Sequence, residues 1–529
     1  MTSGTAPPAQ RQLVEALKNP ACYPHPVDEV CVIETHISFV LLTGPFAYKI
    51  KKAVDLGFVD YTTLEKRRFY CNEELRLNRR LAPQLYLETV VISGAPDSPR
   101  FGQDDGALEY AVKMRQFSQQ DLLDQVLARN GQGEVQVDAL AAELAGFHQC
   151  APIADAQSPW GSPECIRAPV DANFAFFRER PDACPLRLAE LQRWSEAELA
   201  RLEPVFRQRK AQGLVRECHG DLHLGNMLLF DGQPLVFDCI EFSDELRWID
   251  VFNDLAFLTM DLAVHGRPDH AWRLLNGWLE ITGDYAGLET WRFYEVYRAL
   301  VRAKVAGLRA QDTALAATER EAANASQSAY LDFATAALQP RTPAVIVTHG
   351  FSGSGKSTAA RQLAASFGAV CLRSDVERKR LHGLPPLARS GSAIGGGLYT
   401  TAATTATYEY LKTLAETIVS AGCPVIVDAA FLLRWQRQLF RDLAQAKDIP
   451  FLILDCQAPA SVLLQRLAVR VSHGYDASEA NPAVLAQQLA NADALGEDER
   501  GRVVVVDTAQ DGIGKALEEI GGRLQINRV

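Results

Sequence analysis

Two stretches of this 529-residue chain gather residues whose types and spacing suit the handling of phosphate. The sharper one is Gly350-Phe351-Ser352-Gly353-Ser354-Gly355-Lys356-Ser357, which has the spacing GxxxxGK[ST] between an apolar run and an amphipathic one. Gly350, Gly353 and Gly355, with Ser352 and Ser354 between them, let the backbone wrap an anion. Several N–H groups and the start of the following helix, through Thr358, then point at that anion. Lys356 reaches the terminal phosphates of a nucleotide, and the Ser357 hydroxyl suits Mg²⁺. The other stretch is His219-Gly220-Asp221-Leu222-His223-Leu224-Gly225-Asn226, followed after an apolar segment by Phe237-Asp238-Cys239-Ile240-Glu241-Phe242. Phosphoryl transfer from ATP needs a carboxylate beside the attacking hydroxyl, a place for Asp221, and oxygen ligands for Mg²⁺, a place for Asn226 and Asp238.

Downstream of the glycine-rich loop, Arg373-Ser374-Asp375-Val376-Glu377-Arg378 sets a carboxylate at the end of an apolar run and an arginine about one helical turn later. At the carboxyl edge of a parallel sheet, Asp375 is placed to accept the proton of a substrate hydroxyl and Arg378 to hold a substrate anion. Val425-Ile426-Val427-Asp428 also ends an apolar run on a carboxylate. Arg466 and Arg470 lie four apart and so project from one helix face, ahead of the polar segment His473 to Asn481. The run Gly391 to Gly397 lacks the Gly-Lys pair and reads as a mobile loop on the substrate side.

The elements needed to position these groups are visible in the apolar patterning. Val27 to Ile33, Phe39 to Leu42 and Phe46 to Lys51 read as strands of a small antiparallel sheet, with a turn at Thr43-Gly44-Pro45. A helix is expected from Leu64 to Leu81, a further strand from Leu108 to Met114, and a mostly helical region from about Ser118. A strand-rich lobe before a helix-rich lobe is an α+β arrangement with a cleft between them. The alanine-rich Ala314 to Ala337 reads as a closing helix, and the prolines of Gln339-Pro340-Arg341-Thr342-Pro343 forbid its continuation. Two domains follow, 1–338 and 343–529. In the second, strands at 344–349, 369–373, 424–428, 450–455 and 503–507 alternate with helices near 356–367, 404–421, 434–446 and 459–470. That alternation predicts an α/β domain with a doubly wound parallel sheet.

The segment from His219 to Asn226 with the downstream Asp238 resembles the HGDxHxxN loop of aminoglycoside phosphotransferases, choline kinases and fructosamine kinases, over about residues 20 to 335. Asp254-Leu255-Ala256 matches that family's DLA, whose aspartate is structural. The resemblance implies a two-lobed, protein-kinase-like fold in which His219 and His223 brace the loop. It also places a phosphate-gripping lysine in Ala47-Tyr48-Lys49-Ile50-Lys51, with Lys49 at the matching position and Lys51 on the same strand face. Glu73 or Glu74 is its ion-pair partner. No glycine-rich lip precedes it; the first hairpin reads Glu34-Thr35-His36-Ile37-Ser38. Residues 343 to 510, with SDxxR after the glycine-rich loop, resemble polynucleotide kinases, gluconate kinases and zeta-toxin-like sugar kinases. There Asp428 matches a Walker B carboxylate that orients Mg²⁺, and Arg470, then Arg466, match lid arginines that neutralise the transferring phosphoryl. The whole resembles bacterial bifunctional fusions of an aminoglycoside phosphotransferase-like domain with a P-loop kinase domain.

Composition narrows the partners. With 47% hydrophobic and 22% charged residues the chain has the profile of a folded globular protein. The start, Met1 to Gln10, lacks a basic stretch and an apolar run, and no segment reaches the ~18 apolar residues that a membrane span needs. A cytoplasmic protein without membrane association is the expectation. The eleven cysteines are scattered singly, which suggests neither a disulfide framework nor a zinc site. A net charge of −11 disfavours polyanion binding and favours small acceptors, with ATP and Mg²⁺ as cofactors. The leading expectation is thus an enzyme with two nucleotide sites, each passing the γ-phosphoryl to a hydroxyl of a small molecule or short polymer end. A nucleotide-driven regulatory switch, and a kinase for nucleic-acid ends, stand as alternatives.

Overall fold

A tight turn with Gly44 at φ 94° joins β2 (Ser38–Leu42) to β3 (Phe46–Lys51). Strand alternation sends Tyr48 and Ile50 into an apolar core with Leu41 and Phe101, and turns Ala47, Lys49 and Lys51 to the opposite face. With β1 (Cys31–Glu34), β4 (Tyr86–Ala95), β5 (Ser98–Phe101) and β6 (Glu109–Arg115) these strands build a six-stranded antiparallel sheet in the order β1-β2-β3-β6-β4-β5. The sheet is thus larger than the patterning suggested. The strands β4 and β5 escaped that reading because β4 is half-exposed along much of its length and shows no clean apolar alternation. The first strand begins at Cys31, four residues later than expected. The helix α1 spans Leu64–Asn78, capped by the Thr63 hydroxyl, and ends ahead of Pro83.

The computed structural model describes residues 6–57, 59–102, 106–130, 137–180, 185–392, 396–473, 477–510 and 513–524. They fall into two compact units: Met1–Gln136, Gly146–Ala175 and Leu199–Asp261 in one, Val137–Ala145, Phe176–Glu198 and Leu262–Val529 in the other. The first unit holds the antiparallel sheet and two small pairings, β7 (Val215–Glu217) with β10 (Trp248–Asp250) and β8 (Met227–Phe230) with β9 (Gln233–Val236). The loop from His219 to Asn226 runs between β7 and β8.

The second unit contains a five-stranded parallel sheet in the order β12-β13-β11-β14-β15, from β11 (Val345–His349), β12 (Val370–Arg373), β13 (Val425–Asp428), β14 (Phe451–Gln457) and β15 (Val503–Asp507). Val345, Ile346 and Val347 are all at most 2% exposed, so both faces of the central strand are covered. The chain leaves β11 for the edge strand β12, returns to β13, then crosses to β14. The switch point therefore lies at the end of β11, where the glycine-rich loop begins. The same unit includes the helices α2 (Pro268–Thr282), α3 (Leu288–Ala310) and α4 (Ala317–Ala336). Among the described residues no helix is long and apolar enough to cross a membrane.

Candidate active sites

In the first unit, the backbone amides of His219 and Gly220 both donate to the fully buried Asp254 carboxylate, at 3.0 and 2.9 Å. Burial works against that charge, yet bonds from His148 and the His219 amide hold the carboxyl at about 2. Gly220 has φ 89°, and a Cβ there would meet the Leu246 carbonyl at 2.8 Å, so glycine is needed for the loop to pass. The His219 Nε2 bonds the Phe237 carbonyl at 2.8 Å and ties the loop to the segment that carries Asp238.

This bracing presents the polar groups. The Asp221 carboxylate, 36% exposed, accepts from Asn226 Nδ2 at 2.9 Å and lies 3.2 Å from His223 Nε2. The Gly225 amide donates to His223 Nδ1 at 3.1 Å, so the ring proton resides on Nε2 and is shared with Asp221. With its NH₂ donated twice to Asp221, Asn226 retains its amide oxygen for a hard cation. The Phe237 amide bonds the Asn226 carbonyl at 3.0 Å, which brings Asp238 next to that pair. Asp238 has the unusual φ of 63° and is 41% exposed. Hard oxygens from Asn226 and Asp238 are a donor set that fits Mg²⁺.

Facing them, Glu74 reaches Lys49 with one carboxylate oxygen at 2.8 Å and Lys51 with the other at 2.7 Å. Burial pushes the Glu74 carboxyl up, but the two ammonium groups outweigh it and hold it below its ordinary range. Of the two candidate glutamates Glu74 is the one turned inward, whereas Glu73 pairs with Arg76. The lysines differ as well. Lys49 extends to Asp238 at 2.7 Å, while Lys51 is fully enclosed by Glu74, Glu241 and the ring of Tyr61, whose hydroxyl donates to Glu241 at 2.6 Å. Lys51 is a strut beneath the site. Lys51→Met leaves two buried carboxylates short of a partner and is expected to cost about 3–5 kcal/mol of stability, read by chemical denaturation. Unchanged stability with a loss of nucleotide affinity would instead place Lys51 on phosphate.

In the second unit the glycine-rich loop turns on Gly353 (φ 85°) and Gly355 (φ 84°), and a Cβ on Gly353 would meet the Leu463 carbonyl at 2.7 Å. The Lys356 ammonium lies over its own loop, donating to the Phe351 carbonyl at 2.8 Å. Burial pulls it below its ordinary value, against Asp428 and Asp375. Burial pushes Asp428 up, opposed by a bond from Ser357 and by Arg373 and Lys356. A cavity of about 410 Å³ opens here, and Ser352, Gly353, Gly355, Lys356, Ser357, Thr358, Asp375, Arg378, Asp428 and Arg470 all line it. Gly350 and Ser354 lie beneath: a Cβ on Gly350 would meet the buried Ser354 hydroxyl at 2.7 Å. Ser357 with Asp428 is again an oxygen set that fits Mg²⁺.

Arg378 is 7% exposed, donates to the Leu398 carbonyl at 2.7 Å and lies over the Tyr399 ring. Arg466 does not reach the cavity with Arg470. It bonds Thr508 and the Gly353 carbonyl and so buttresses the loop from behind. Residues 393–395 of the glycine run and 474–476 of the lid segment lie outside the described residues, although the flanking Ser392, Ser478, Glu479 and Asn481 line the cavity. Three residues outside the motifs' expected roles also meet these sites: Arg373, Gln488 and Glu241. The Ser352 amide donates to Gln488 Oε1 at 2.9 Å, and nothing local to residue 488 announces that contact across 136 positions. Arg373, two residues ahead of Asp375 and the last residue of β12, carries a usable signal.

Comparison with known proteins finds two families in succession along the chain. Residues 71–297 match the phosphotransferase enzyme family, and residues 345–495 match an AAA domain family. A Mycobacterium tuberculosis protein (strain ATCC 25618 / H37Rv) is 32% identical over 477 residues, 89% of this chain and 93% of the relative. A Mycobacterium bovis protein matches at the same identity and extent. Among solved structures, a choline/ethanolamine kinase family protein from Mesorhizobium loti covers 62% of this chain and 98% of its own, with 13% identity and a TM-score of 0.35. A gluconokinase from Sinorhizobium meliloti 1021 covers 35% and 95%, with 24% identity and a TM-score of 0.26.

Proposed function

The chain belongs to the same family as its mycobacterial relatives and is a kinase with two phosphotransfer domains; from this we propose that each domain passes the γ-phosphoryl of ATP to a hydroxyl of a small-molecule acceptor. In the first domain, Lys49, oriented by Glu74, grips the α- and β-phosphates. Asn226 and Asp238 hold Mg²⁺, and Asp221 takes the proton of the acceptor hydroxyl.

In the second domain the backbone from Gly350 to Thr358 cradles the phosphates and Lys356 reaches the terminal ones. Ser357 and Asp428 hold the cation, Asp375 is the base, Arg378 anchors an anionic group of the acceptor, and Arg470 neutralises the moving phosphoryl. Bound at either site, Mg²⁺ supplies neutralisation of phosphate charge. The observation that carries the reading is the convergence of Lys356, Ser357, Asp375, Arg378, Asp428 and Arg470, from separate segments, on one cavity.

Incubating the protein with ATP and metabolite pools, alone and as Asp221→Asn or Lys356→Ala, tests it by mass spectrometry. Each variant is expected to lose a different phosphorylated product. ADP release that no pool stimulates would sink transfer in favour of a nucleotide switch.

A further inference from the structure

Arg373 and Asp428 are register partners on the adjacent strands β12 and β13, so both side chains leave the carboxyl edge of the sheet on the same face. A guanidinium set beside a carboxylate in a nearly buried place ordinarily closes onto it through two hydrogen bonds. Here Arg373 Nε stays 3.9 Å from Asp428 Oδ2, while its Nη1 donates to Glu280 Oε1 at 2.7 Å. Glu280 comes from α2, some 93 positions earlier in the chain.

That helix is built into the edge of the parallel sheet. Asn276 on α2 completes β12 as a missing strand would, donating to the Ala369 carbonyl at 2.9 Å and accepting from the Cys371 amide at 2.7 Å. Trp272 fills the space over Gly368, where a Cβ would meet its ring at 2.7 Å. Arg380 donates to the Glu280 and Ile281 carbonyls at 2.5 and 3.2 Å, which locks the turn that carries Glu280. The Glu280 carboxylate is therefore held against Arg373 by backbone contacts on its own turn, independently of any ligand.

We propose that Glu280 is a positioning residue of the P-loop site: by holding the Arg373 guanidinium it keeps that cation off Asp428 and leaves the carboxylate available to Mg²⁺. This rests on the reading of the second domain as a Mg²⁺-dependent kinase. The two charges compete for one carboxylate, so the consequence falls on metal dependence rather than on nucleotide contact.

The test uses the full chain and a fluorescent ATP analogue titrated with Mg²⁺, with the signal lost in Lys356→Ala assigned to the P-loop site. Glu280→Gln is expected to raise the Mg²⁺ concentration for half-saturation about tenfold while metal-free affinity for the analogue stays within about twofold. Glu280→Asp, which keeps the charge, should stay within about threefold of the parent. Adding Arg373→Gln to Glu280→Gln removes the competitor and should bring the Mg²⁺ requirement back to within about threefold. An unaltered Mg²⁺ requirement in Glu280→Gln, a rise in Glu280→Asp as large as in Glu280→Gln, or a double variant no better than the single would each overturn the proposal. Binding left intact by Lys356→Ala would overturn the P-loop reading instead.

Discussion

Asp221→Asn is expected to lower turnover in the first domain by about 10³-fold while nucleotide affinity stays within about twofold. The substitution keeps the shape of the side chain and removes its charge and basicity. In the folded protein the Asp221 carboxylate accepts from Asn226 and His223 and is partly open to solvent, as a group that must meet an incoming hydroxyl has to be. Neither Lys49 nor Glu74 bonds to it; the two pair with each other and Lys49 also reaches Asp238, so the phosphate-binding side of the site is left intact. Single-turnover transfer measured beside equilibrium ATP binding separates the two effects. Turnover equal to the parent's would remove Asp221 from the role of base.

For Lys356→Ala the expected result is a fall of about 10³-fold or more in kcat/KM at the P-loop site, with the first site untouched. The substitution removes the ammonium of the glycine-rich loop, so the loop amides must hold a polyanion without it. Burial already draws the Lys356 ammonium below its ordinary value, and an arriving phosphate reverses that by supplying opposite charge. Binding stoichiometry offers the cleanest readout: two nucleotides per chain in the parent and one in the variant. A loss at both sites would mean that the two do not act independently.

Both predictions rest on contiguous stretches, and such stretches were legible in the sequence. From Gly350 to Ser357, and from His219 to Asn226, the spacing of glycines, charges and amides is set by the local backbone path. The apolar runs on either side supply the strands that hold it. The alternation of five apolar runs with helical segments likewise announced a parallel sheet. The antiparallel sheet was only half visible, because β4 gains its place from cross-strand pairing with β5 and β6 rather than from alternation of its own.

Everything that depends on which long-range neighbours meet was decided by tertiary structure. Two lysines on one strand face and two successive glutamates on one helix are equivalent as text. Packing of α1 against the sheet turns Glu74 inward and Glu73 outward, opens Lys49 to Asp238 and seals Lys51 beneath Tyr61 and Glu241. Arg466 and Arg470 share a helix face, yet only Arg470 reaches the cavity, because Thr508 and the Gly353 carbonyl claim the other. Parallel register sets Arg373 beside Asp428, and a helix from earlier in the chain supplies the Glu280 that holds them apart. Local spacing determines which groups this chain owns; register, helical phase and packing determine which of them touch, since those arise only when distant segments bury their apolar faces together.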